Sequence, residues 1–147
     1  MRGLLENKIL ICAILGWFIA QALKVVFVLI QEKKFDMRRF VGSGGMPSSH
    51  SSFVLALTTA VAFEEGLNSA LFAVCVVFSF IVMYDAAGVR RAAGKQAEIL
   101  NSIIENFWQD NPKVTGERLK ELLGHTPKQV FVGAILGILI SVIMYNL

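Results

Sequence analysis

Three short segments of the chain combine residue types that can handle a phosphate group. The first is Gly44-Gly45-Met46-Pro47-Ser48-Ser49-His50. Glycines permit a tight backbone turn, and a proline fits the first turn of a helix. A helix start offers free N–H groups and the positive end of the helix dipole, which suit an anion. Ser48 and Ser49 add hydroxyl donors, and His50, one turn in, can exchange a proton near neutral pH. The competing reading is an ordinary Gly-Pro-Ser loop that caps a helix.

The second segment is Leu123-Gly124-His125-Thr126-Pro127. Gly124 can end one helix, and Thr126 can cap the next with Pro127 at its first position. His125 is then pinned in a tight turn, or is simply a polar loop histidine at an interface. The third segment is Tyr84-Asp85-Ala86-Ala87-Gly88-Val89-Arg90-Arg91. Arg90 and Arg91 can make forked contacts with phosphate oxygens. An acid such as Asp85 near membrane depth needs a partner, either a histidine or a basic side chain. The bland reading is a cluster of charges that fixes topology. His50 and His125 are the only histidines in the sequence.

The elements that must position these segments are apolar. Hydrophobic residues make up 55% of the chain and charged residues only 17%, against about 25% in a soluble domain. The apolar residues come in blocks, so the fold class expected is an all-α integral membrane protein in one domain, 1–147. About four transmembrane helices are expected, at 9–30, 47–63, 69–87 and 128–147. A span needs about 20 residues, and the second block is the weakest. Its apolar core, Phe53 to Phe63, reaches useful length only with the polar residues back to Pro47, so it either spans or re-enters. The polar connection, 88–127, contains Leu100, Ile103, Ile104, Phe107 and Trp108 at spacings of three and four, which predicts an amphipathic interfacial helix. Asp110, Asn111 and Pro112 should end it, and Leu119, Leu122 and Leu123 suggest a short helix beyond.

Four spans put the starts of the second and fourth, with His50 and His125, on the same side as the end of the third. That side also receives 11 of the 14 basic residues, among them Arg38, Arg39, Arg90, Arg91 and Lys95. The positive-inside rule makes it cytoplasmic and leaves both termini outside, in a plasma or inner membrane. Lys24 sits within the first span, three residues from Gln21 on one face. It either snorkels to the surface or points into the same polar pocket. Gly133 and Gly137 form a GxxxG pair, which serves either a homodimer contact or packing within the chain.

Several other classes are disfavoured. Cys12 and Cys75 lie in apolar blocks without metal-ligand spacing, so no metal and no cofactor are expected. A net charge of +3 on so apolar a chain does not suggest nucleic acid. The first apolar block is too long for a typical signal-peptide h-region.

Taken together, GGMPSSHSS, YDAAGVRRAAGKQAEILN and LGHTP resemble the divergent branch of the type 2 phosphatidic acid phosphatase and vanadium-dependent haloperoxidase-related family, over about Gln21 to Gly137. The resemblance implies a metal-free phosphatase that works through a phosphohistidine. It makes His125 the nucleophile and His50, in Pro47-Ser48-Ser49-His50, the general acid, roles that fit covalent and acid–base catalysis. The family's third motif has an arginine six before the nucleophile and an aspartate four after it. Here those positions hold Leu119 and Gln129, and no Lys-x6-Arg-Pro motif occurs. Asp85 is therefore expected to orient the nucleophile. Lys24, Arg39, Ser48, Ser49, Arg90 and Arg91 are expected to hold the phosphate. The function implied is hydrolysis of a lipid phosphate or pyrophosphate. The alternative is a membrane protein that binds or transports a phosphate lipid at a site that no longer turns over.

Overall fold

The computed structural model describes residues 3, 6–32, 45–110, 119 and 123–147, with backbone alone for 31, 32 and 106–110. These residues form five helices and no strand: α1 Lys8–Glu32, α2 Ser49–Glu65, α3 Ala70–Ala87, α4 Val89–Asp110 and α5 Pro127–Asn146. Three stretches are long and apolar enough to cross a membrane: Lys8–Ile30, Ala70–Glu105 and Pro127–Asn146. α2 is not among them. Its 17 residues reach about 25 Å at 1.5 Å per residue, short of a hydrocarbon core about 30 Å thick.

The reason is its place in the bundle. α2 packs against α1, α3 and α5, and none of its residues from 49 to 62 is exposed. A helix enclosed by other helices has no need of a lipid-facing apolar surface. It needs small residues that allow close approach, and hydroxyls that meet neighbouring carbonyls. Ser52 Oγ donates to Gly16 O at 2.8 Å, Ser141 Oγ donates to Ala56 O at 2.7 Å, and Thr58 and Ser79 share a hydrogen bond of 2.8 Å.

α2 and α5 run parallel and in register. A Cβ on Gly133 would lie 2.3 Å from Ser48 O, and one on Gly137 would lie 2.3 Å from Ser52 O. One turn further on, Ser141 meets Ala56. The GxxxG pair is thus buried within the chain against α2, the second of the two uses that its spacing allowed. At the far end Tyr145 donates to Glu64 at 2.8 Å and stacks on Phe63.

Caps mark the element ends. Thr126 caps α5 in a reciprocal capping box with Gln129, and Pro127 occupies the first turn as expected. Ser48 caps α2, so Pro47 sits one residue before the cap instead of inside the helix. Gly88 breaks the chain between α3 and α4, and α4 starts at once, well before the apolar stripe at Leu100. Among the described helices α4 touches only α3, and Ile99, Leu100 and Ile103 are exposed, an apolar face of the kind an interfacial helix presents. The short helix expected around Leu122 lies outside the described residues, apart from Leu119 and Leu123.

Candidate active site

Parallel packing of α2 and α5 brings their starting turns together at one end of the bundle. Ser48 N–H donates to Gln129 O at 3.1 Å, tying the two starts to each other. His50 lies in the first turn of α2, and His125 lies two residues before α5. Their ring centroids are 5.9 Å apart and their planes cross at 64°. The expectation that topology gathers the two histidines is met in this geometry.

His125 is fixed from several directions. Its N–H donates to Ala86 O at 2.8 Å, anchoring it to the end of α3. Gly124 has φ +82, and a Cβ there would stand 2.3 Å from Arg91 N. Only glycine permits both that backbone conformation and so close an approach to α4. The ring Nδ1 lies 3.1 Å from Gly45 O. The residue is 2% exposed. Burial pushes its imidazole down to about 4, with the Lys24 charge and His50 acting in the same direction. The Gln129 side chain and the Gly45 carbonyl oppose the shift. Near neutral pH the ring is therefore uncharged.

Lys24 points inward. It is 2% exposed and donates to Gln21 Oε1 at 2.7 Å, which settles the choice between snorkelling and pocket. The Gly45 backbone turns beside its stem at φ +84, where a Cβ would come within 3.3 Å of Lys24 Cγ. Lys24, Arg90 and Asp85 all lie close enough to act electrostatically on His50. The site is thus a polar cluster in which Gln21, Lys24 and His125 are buried and Gly45 and His50 are half-buried. Two of its atoms, His50 Nδ1 and His125 Nε2, are buried without a hydrogen-bond partner. Each such atom costs about 1–3 kcal/mol. Among the described residues no group of three or more His, Cys, Asp or Glu side chains gathers as a metal ion would require.

The remaining residues fall less centrally. Asp85 pairs with the Arg90 side chain, and both side chains are more than a third exposed. The expectation that Asp85 orients His125 fails for a simple reason. Ala86 faces inward, with its carbonyl on His125, and a helix turns about 100° per residue. Asp85 therefore points elsewhere. Ser48 is buried, and its oxygen accepts from Ser51 N–H and Ser51 Oγ, so it serves as a cap. Ser49 is buried in the first turn of α2. Arg91 contributes its backbone to the approach of Gly124, with its side chain half-buried. Arg39 lies outside the described residues.

Sequence reasoning placed Gly45 in a tight turn but missed its carbonyl as the partner of His125. A main-chain acceptor leaves no side-chain signature, and the one available signal was the glycine pair before Met46.

The family model described as "Divergent PAP2 family" matches residues 5–140. The chain is also similar to the "Uncharacterized membrane protein YuiD" of Bacillus subtilis (strain 168), at 43% identity over 96% of each chain. No solved structure matches. With three membrane-crossing stretches and a family match over nearly its whole length, this multi-pass membrane protein belongs to the divergent PAP2 family.

Proposed function

We propose that the protein hydrolyses a lipid phosphate or pyrophosphate through a phosphohistidine at His125. The observation that carries this reading is the pair of buried, unpartnered imidazole nitrogens on rings 5.9 Å apart, beside the buried Lys24. Leaving two such atoms unsatisfied is costly unless a ligand meets them.

In the reaction, the Nε2 lone pair of His125 attacks phosphorus as the P–O bond to the lipid breaks. His50 delivers its proton to the departing oxygen. Water then attacks the phosphohistidine, returning a proton to His50, and the P–N bond breaks to release inorganic phosphate. Lys24 supplies positive charge for the phosphoryl oxygens. The excess of basic residues on this side supports a site that faces the cytoplasm.

The test is phosphate release from phosphatidic acid and from a polyprenyl pyrophosphate in detergent micelles. His125→Ala should abolish both release and the acid-labile, base-stable phosphoenzyme. His50→Ala should slow release by a factor on the order of 10² to 10⁴. One observation favours a second reading, binding without turnover: the partner of His125 Nδ1 is a carbonyl and not a carboxylate. That reading gains if both lipids bind in a Lys24-dependent way and neither releases phosphate.

A further inference from the structure

The contact between His125 Nδ1 and Gly45 O, at 3.1 Å, fixes more than a distance. A carbonyl oxygen can only accept a hydrogen bond, so the hydrogen must sit on Nδ1. In the neutral ring the lone pair then belongs to Nε2, the atom that is buried without a partner. Gln129 Oε1, which accepts from Thr126 N–H at 2.9 Å and also acts on the ring, can likewise only accept, so it calls for a hydrogen on the ring and not for a lone pair.

The acceptor is itself held in place. Gly45 has φ +84 and turns against the stem of Lys24. The turn that carries His125 is held by its bond to Ala86 O and by the Thr126–Gln129 capping box. The bond thus joins two constrained backbones that are 80 residues apart in sequence.

We propose that the Gly45 carbonyl is the positioning group of this site, holding His125 in the Nδ1–H tautomer so that Nε2 is presented as the nucleophile without a carboxylate behind it. The inference rests on the phosphohistidine reading and deepens it. When Nε2 bonds to phosphorus the ring becomes cationic, Nδ1 keeps its hydrogen, and its bond to the carbonyl becomes charge-assisted. A carbonyl dipole offsets that charge less than a carboxylate would.

The experiment is nitrogen NMR on full-length protein labelled with ¹⁵N-histidine, in detergent micelles at pH 7. With two histidines in the chain, a His50→Gln sample identifies the signals of His125. The expected spectrum shows His125 with a protonated Nδ1 and a bare Nε2. Asn tolerates positive φ where Val does not, so Gly45→Asn should keep that signature. Gly45→Val should give mixed tautomers and slow phosphoenzyme formation by a factor on the order of 10². A protonated Nε2 with a bare Nδ1 in the unsubstituted protein overturns the proposal, whatever the variants do. Rapid phosphoenzyme formation by a folded Gly45→Val protein with mixed tautomers overturns it too. Absence of phosphate release together with a protonated Nδ1 would refute the hydrolase reading while supporting the orienting bond.

Discussion

The seam between α2 and α5 can be tested with a single methyl group. In Gly137→Ala the new Cβ would stand 2.3 Å from Ser52 O and 2.9 Å from Ala56 N. Both neighbours are backbone atoms, so no side-chain rotation relieves the clash. Ordinary contact begins near 3.5 Å, so α5 must retreat by roughly 1 Å. Overpacking of this kind costs about 1–3 kcal/mol. Alanine returns up to about 1 kcal/mol through its better helix propensity. The retreat also stretches the bond from Ser141 to Ala56, 2.7 Å long, at a cost of about 1 kcal/mol. The net expectation is a loss of about 1–3 kcal/mol. The same movement pulls Gln129 O away from Ser48 N and separates the two histidines. Phosphate release should fall by a factor of roughly 10 to 100. The assay is denaturant unfolding in mixed micelles followed by tryptophan fluorescence, with size-exclusion chromatography in parallel. If Gly137→Ala unfolds at the unsubstituted midpoint but dissociates a dimer, the seam lies between molecules and the packing argument is wrong.

Three further expectations follow from the site. The His125 imidazole titrates near 6.5 when unfolded and near 4 when folded, so folding favours its neutral form. Stability is then full above about pH 6.5 and falls as pH drops toward 4, by about 2 kcal/mol at pH 5. Unfolding midpoints between pH 7 and 5 should show this loss, and His125→Asn should remove it. Asp85→Asn breaks only a part-exposed pair with Arg90, so stability should change by no more than about 1 kcal/mol. Its kcat should fall less than tenfold, and a thousandfold fall would restore Asp85 as the orienting acid. Single cysteines placed at Lys95 and Glu65, in a chain whose own two cysteines are buried, should label from opposite sides of sealed vesicles, with Lys95 on the cytoplasmic side.

What the sequence revealed depended on what each element faces. α1, α3 and α5 expose large apolar side chains such as Phe18, Phe80 and Phe131. The need to satisfy lipid writes itself into their composition. α2 faces other helices, so its serines and alanines obscured it. Thr126 and Pro127 act locally and were legible as a cap. Lys24 was ambiguous because tertiary packing, and not spacing, decides whether a lysine stem turns inward. Asp85 was misplaced because topology gives the end of the bundle on which a residue lies, but not the side of the helix. The extent of α4 was underestimated because its first turns carry Arg90 and Arg91 where a periodic pattern expects apolar residues.

The enclosure of α2 also bears on how the protein is made. A short helix carrying Ser49, His50, Ser51, Ser52 and Thr58 has little tendency to leave water for lipid alone. Its Ser52 hydroxyl finds an acceptor on α1, its Ala56 carbonyl accepts from Ser141 of α5, and Thr58 meets Ser79 on α3. α2 therefore enters the bilayer as a passenger of its neighbours, paired with α3 across the short turn at Gly66 and Ser69. Assembly of the bundle and completion of the site become one event. A chain arrested before α5 would hold neither a settled second helix nor a second histidine fixed beside the first.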